Sequence, residues 1–103
     1  MTQIGGNAMR ERVVEKKLVQ ETVSLGGICP KWVAPGIDGV PDRIVLLPQG
    51  CMAFIEVKAP GKKVRPLQKA IHKKLRCLGY KVYVIDDVEQ IKPMLEEIGG
   101  KNE

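Results

Sequence analysis

The sequence predicts an α/β domain in which a mixed four-stranded sheet is flanked by helices, its elements ordered helix, three strands, helix, strand, helix. Three observations carry this reading. Residues 8–25 repeat their apolar positions at helical spacing and stop at Gly26-Gly27, a natural helix end. The β-rich runs 43–47 and 52–57 are separated only by Pro48-Gln49-Gly50, which reads as a hairpin. A second helical stretch, 66–78, lies between the run 52–57 and a last run, 80–85; a helix joining two strands of one sheet is a crossover, so those strands are expected to be parallel. At 103 residues the chain makes a single domain, 1–103, because so short a chain buries only about 60–65% of its unfolded surface and supports one core.

Each element has its own signals. At 100° per residue, Ala8, Val14, Leu18, Val19, Thr22, Val23 and Leu25 share one arc of the first helix. Glu15 falls near the middle of that arc, and a carboxylate there is costly without a partner. Glu11 lies in the arc too, nearer the frayed first turn. Residues 28–34 read as a short strand, and Pro30 assigns it to a sheet edge. The loop PGIDGVP, 35–41, then delivers the chain to Asp42.

In the hairpin, proline suits the second position of a type I turn and Gly50 the left-handed position that follows. Leu47 then faces Cys51, and counting back along both strands sets Asp42 opposite Glu56. Glu56 and Lys58 project on Asp42's side, with Ile44 and Phe54 below them in the core. Further on, Pro66 opens the second helix behind Arg65, a weak N-cap, and the stripe Leu67, Ile71, Leu75, Leu78 is its expected buried face, with Gln68 beside it. Gly79 ends that helix. Asp87 with Gln90 forms a capping box for a final helix, kinked at Pro93 and ended by Gly99-Gly100.

Composition removes several classes of function. No apolar run reaches the roughly 18 residues that span a membrane, and the start MTQIGGNAMRERV lacks the apolar core of a secretory signal. Cys29, Cys51 and Cys77 are odd in number and lack metal-type spacing, so they read as reduced core thiols and the expected location is a bacterial or host cytoplasm. A single histidine, His72, excludes the usual His-rich metal sites. The net charge is +5, and between Lys58 and Arg76 stand Lys62, Lys63, Arg65, Lys69, Lys73 and Lys74 with no acidic residue. That is the footprint expected for phosphate backbones, although a solvated helix face accounts for it equally well.

Two carboxylates opposite each other on neighbouring strands repel unless a cation lies between them, and a hard divalent ion suits an oxygen-rich site. Asp42 and Glu56 are therefore candidate metal ligands, Glu15 is a third, and Glu11 is its substitute. Taken singly each residue has a structural alternative: Asp42 can end a turn, Lys58 can guard a strand against aggregation, and Glu15 can reach solvent. Three independent local patterns nevertheless direct charged groups to one face.

Gly39-Val40-Pro41-Asp42, then Glu56-Val57-Lys58 after the hairpin, then Pro66-Leu67-Gln68 opening a helix resemble the VRR-NUC branch of the PD-(D/E)XK nucleases over roughly residues 11–91. The resemblance implies a restriction-endonuclease-like αβββαβ core and metal-dependent endonucleolytic hydrolysis of DNA. It implies that Glu15, Asp42, Glu56 and the carbonyl of Val57 bind Mg²⁺ or Mn²⁺. Lys58 would orient or deprotonate the attacking water, and Gln68 would position Lys58 or the water. Lys62, Lys63, Arg65, Lys69, His72 and Lys73 are the expected DNA contacts, with a solvated edge histidine the alternative for His72. Arg65 departs from the serine that many relatives carry there. The resemblance and the small size together point to a stand-alone phage or prophage enzyme, a homodimer acting on branched DNA such as four-way (Holliday) junctions. The alternatives are a flap or single-strand/double-strand junction nuclease and a non-catalytic basic binding module. The expected dimer surface is the edge around Trp32 and the final helix with Ile91, Met94, Leu95 and Ile98.

Overall fold

Val14, Leu18 and Thr22, spaced four residues apart, form the buried stripe of the first helix, α1 (Gln3–Ser24), in the computed structural model, which describes residues 3–100. Thr22 is tolerated in the core because its hydroxyl donates to the Leu18 carbonyl at 2.7 Å. Val23 and Leu25, placed by the helical wheel in the buried arc, face solvent, so the arc is narrower than the sequence suggests.

The sheet has three strands, not the four expected. Strand β1 (Arg43–Leu46) pairs antiparallel with β2 (Met52–Val57), and β2 pairs parallel with β3 (Val82–Ile85), in the order β1-β2-β3. Segment 28–32 lies along β1 but forms only isolated bridges, Ile28 with Leu46 and Lys31 with Arg43. Pro30 explains the shortfall. Ile28 and Leu46 exchange both backbone hydrogen bonds, but at the next such pair Ile44 N–H donates to the Pro30 carbonyl and proline has no N–H to return.

The hairpin register is the one the turn predicts, with Arg43 opposite Ile55 and Leu47 N–H donating to the Cys51 carbonyl. Its loop is a 3₁₀ turn (Pro48–Gly50) in which Gln49 as well as Gly50 is left-handed, at φ 69° and 76°. After β2 the chain crosses over through α2 (Pro66–Cys77) to β3. Asp87 accepts from Glu89 N–H, and Gln90 Oε1 accepts from the N–H groups of Asp86 and Asp87, capping a 3₁₀ turn (Val88–Gln90) that leads into α3 (Ile91–Ile98). Pro93 lies in the first turn of α3, where its missing donor costs nothing, and so does not kink a longer helix.

Helices α1 and α3 cover one face of the sheet, where Val14, Leu18, Val45, Ala53, Ile55, Val57, Ile85 and the α3 residues Ile91, Met94, Leu95 and Ile98 share one core. Those four α3 residues are therefore consumed inside the monomer and form no surface for a second copy. Helix α2 covers the other face, where Phe54, Leu75 and Val82 form a smaller cluster. Trp32 stacks on Phe54 with ring centroids 4.7 Å apart. Only Cys29 is core filler; Cys51 is half-buried and Cys77 is exposed on α2. Among the described residues no helix is long and apolar enough to cross a membrane.

Candidate active site

The hairpin register and one glycine bring the strand carboxylates together. Gly39, at φ +87°, lies against the first turn of α2, where a side-chain carbon would stand 3.0 Å from the Leu67 carbonyl oxygen. This close approach leads the chain through buried Pro41 into Asp42, one step beyond the Arg43–Ile55 pair and so beside Glu56. Asp42 Oδ2 accepts the Val57 N–H at 2.8 Å. Asp42, Glu56, Val57 and Lys58 thus meet at the end of the hairpin away from its turn.

Glu56 is 1% exposed. Its Oε2 accepts from Gln68 Nε2 at 2.9 Å and lies 3.3 Å from Lys58 Nζ. Gln68 is itself fixed, because its Oε1 accepts the Arg65 N–H at 3.0 Å at the start of α2. Gln68 thus holds the Glu56 oxygen that also faces Lys58. The other oxygen, Glu56 Oε1, is buried without a hydrogen-bond partner. It faces His72 Nε2 at 3.6 Å, too far for a hydrogen bond, and that nitrogen is also without a partner. His72 is 2% exposed, so the expected phosphate contact is corrected: a side chain beneath α2 cannot reach a backbone lying on the surface.

The buried face of α2 is thus Gln68, Ile71, His72 and Leu75, while Leu67 and Leu78 of the expected stripe are exposed. Gln68 displaces Leu67 from the buried face because Glu56 lies beneath it and a buried carboxylate without that hydrogen bond costs more than an exposed leucine.

Electrostatically the site is overcharged with acid. Burial, then Asp42, push the Glu56 carboxyl up to about 7, with Lys58 pulling it back. Burial also raises Asp42 against the lowering effect of the Val57 N–H, and Glu15 adds to the rise. Glu11 is raised by burial and then by Asp42, again opposed by Lys58. Burial, with Arg76 and Lys58 nearby, lowers His72, which keeps the ring neutral near pH 7 and unable to act as a counter-ion.

The two α1 carboxylates have different surroundings. Glu15 Oε2 accepts from Arg43 Nε at 2.7 Å, and Arg43 Nη1 donates in turn to the Cys29 carbonyl at 2.8 Å. Glu15 is therefore already paired, whereas Glu11, one turn earlier, acts on Glu56 and feels Asp42 and Lys58. Lys62, Lys63, Arg65, Lys69 and Lys73 are all exposed beside this end of the sheet or along α2. A cavity of about 290 Å³ at the hairpin tip, lined by Leu47, Pro48 and Leu95, lies at the other end of the hairpin and holds none of these groups.

These residues suit a hard divalent ion. Glu56, with one oxygen buried without a partner, Asp42 opposite it and the Val57 backbone alongside make a set of hard oxygen donors that fits such an ion. Among the described residues no three His, Cys, Asp or Glu side chains converge on one point, so the protein's share would be two carboxylates, a backbone carbonyl and waters. Mg²⁺ commonly accepts such a set.

The fold has counterparts in known proteins. The profile of the VRR-NUC domain family matches residues 33–88, a span that contains Asp42, Glu56, Lys58 and Gln68. Over 87 residues, 82% of this chain and 94% of the relative, the sequence is 48% identical to "Putative nuclease p44" of Acyrthosiphon pisum secondary endosymbiont phage 1. A solved structure titled "VRR_NUC domain" superposes with a TM-score of 0.79 at 32% identity, covering 84% of this chain and 95% of that one. The chain belongs to the VRR-NUC domain family, a family of nuclease domains.

Proposed function

We propose that this chain is a divalent-metal-dependent endonuclease that hydrolyses phosphodiester bonds of DNA at the Asp42–Glu56–Lys58 group. The observation that carries the reading is the buried Glu56 carboxylate, one oxygen of which has no hydrogen-bond partner, on the residue that the hairpin register sets opposite Asp42. Asp42, Glu56 and the Val57 carbonyl would hold Mg²⁺ or Mn²⁺, with Glu11 the α1 carboxylate free to join them and Glu15 available only if Arg43 releases it. When bound, such an ion polarises the phosphate, makes hydroxide accessible near neutral pH and neutralises the leaving oxygen.

The chain's own residues supply the positioning. Gln68 fixes the Glu56 carboxylate through one hydrogen bond and is held by a second to the start of α2. Lys58 Nζ, 3.3 Å from Glu56 Oε2 and partly exposed, is placed to orient a water at the edge of the site. The exposed Lys62, Lys63, Arg65, Lys69 and Lys73 would anchor phosphates next to the scissile one. The PD-(D/E)XK grouping is supported by the order of elements, with segment 28–32 in the place of a first strand.

The substrate reading extends to branched DNA, four-way junctions in particular, cut by a homodimer. Its support is symmetry: a two-fold dimer presents two sites at a fixed spacing to a substrate of similar symmetry. A cleavage panel of linear, flapped and four-way DNA with Mg²⁺ and Mn²⁺, run beside sedimentation, tests it. The expected result is metal-dependent cleavage, fastest on four-way DNA, by a dimer. Equal cleavage of all substrates by a monomer removes the branched-DNA part; metal-indifferent DNA binding with no cleavage replaces the enzyme with a binding module.

A further inference from the structure

We infer a second phosphate track: the groove between α1 and the β1 edge, lined by Arg12, Lys16, Lys31 and Arg43, binds the DNA strand on the opposite side of the scissile phosphate from the α2 lysines. This rests on the nuclease reading above and adds to it how the substrate lies. The groove, of about 580 Å³, is also lined by Glu15, Val19 and Gln20. It begins where the candidate site ends, since Arg43 follows Asp42 in the chain and Glu15 lies one helical turn from Glu11. Helix α1 packs on one face of the sheet and α2 on the other, so the two basic surfaces flank the carboxylates from different sides.

Charge within the groove is set against folding and in favour of a polyanion. Arg12 and Lys16 are four residues apart on α1, where like charges repel by a few tenths of a kcal/mol. Lys31 and Arg43 are bridge partners across the sheet edge, a second like-charge pair directly opposed. Among the described residues, Arg12, Lys16 and Lys31 form no ion pair. The groove's only carboxylate, Glu15, is neutralised by Arg43, which is held from its other nitrogen by the Cys29 carbonyl. The clasp keeps a negative charge from repelling an entering phosphate. A strand held on both sides of the cut is cut internally, which is the endonucleolytic mode.

The test is the full chain carrying Arg12→Gln, Lys16→Gln and Lys31→Gln together, all exposed positions, compared with the unaltered protein. Binding to a 30-base-pair duplex is followed by fluorescence anisotropy in EDTA over a range of KCl. The slope of log K against log salt should become shallower by about 2 to 3, because each lost contact with duplex phosphate removes about 0.9. The cleavage rate at saturating protein should be retained. An unchanged slope overturns the track and returns these cations to a solvated surface; a saturating rate that falls with the affinity overturns it in favour of a direct part in the chemistry. If the unaltered protein cleaves no DNA with Mg²⁺ or Mn²⁺, the nuclease reading fails while the EDTA slope still decides the groove.

Discussion

Strand β2 is buried almost equally on its two sides, yet the sides differ in kind. Ala53, Ile55 and Val57 point toward α1 and α3 and join an apolar cluster. Phe54 and Glu56 point toward α2, where the cluster starts as Phe54, Leu75 and Val82 and ends as Glu56, Gln68 and His72. The first side does what a core does, stabilising through removal of apolar area from water. On the second side a carboxylate leaves water for one hydrogen bond, one lysine and an oxygen with no partner, an arrangement that costs stability. Neighbouring residues of one strand thus divide an apolar core from a buried polar group, and the proposal that the second carries the chemistry can be broken or sharpened by experiment.

The largest effects should come from the polar side. Asp42→Asn or Glu56→Gln should lower cleavage by about 10³-fold or more, while thermal unfolding shows a fold that is intact. Lys58→Ala should reduce the rate by about a hundredfold or more with Mn²⁺ affinity kept, as calorimetric titration would show. A loss of metal affinity in that variant would move Lys58 from water chemistry to holding the carboxylates.

Ile55→Ala, one residue from Glu56 and facing the other way, should do the reverse. With Ile55 fully buried, the substitution should cost about 2–5 kcal/mol of stability, measured by urea unfolding, and leave the activity per folded molecule unchanged. Activity lost in proportion beyond the unfolded fraction would show that the two sides are not separable.

A smaller effect links the sides through pH. The Glu56 carboxyl ionises at about 7 in the fold against 4.5 ordinarily, so the folded state keeps a proton that the unfolded state has released. Stability without metal should therefore fall as pH rises from about 4.5 to 7 and stay lowered above, on the order of 3 kcal/mol from this group. His72, lowered by burial, acts oppositely: its contribution is present above its ordinary 6.5 and is lost as pH falls below it. The difference between Glu56→Gln and the unaltered chain reports the loss of the Glu56 charge together with its coupling to His72, 3.6 Å away, and to Asp42. That variant should be the more stable of the two at pH 8 and lose the advantage at pH 4.5.

What the sequence makes legible follows the range of the interactions involved. Turn length and alternation fix the hairpin register, so the meeting of Asp42 with Glu56 can be counted out from Pro48-Gln49-Gly50. The Asp87–Gln90 capping box is equally local. The fourth strand is lost to the one missing donor of Pro30, and a single sequence does not say whether bridges at Ile28 and Lys31 will be joined across it. The buried face of α2 follows a partner 12 residues upstream, Glu56, which draws in Gln68 where hydropathy favours Leu67. What distinguishes the surroundings of Glu15 from those of Glu11 is Arg43, 28 residues from Glu15 in the chain, which the helical wheel cannot see. His72 had one usable signal, its spacing of four from Gln68 on the same helix.

The central claim is that Asp42 and Glu56 hold the ion with which this chain cuts DNA internally. Nicking of covalently closed circular DNA tests it most directly, because a circle has no ends to trim. The unaltered protein with Mg²⁺ or Mn²⁺ should convert the closed circle to the nicked form, with EDTA or Glu56→Gln abolishing the conversion. Equal nicking by purified Glu56→Gln, or nicking that persists in EDTA, would contradict the claim.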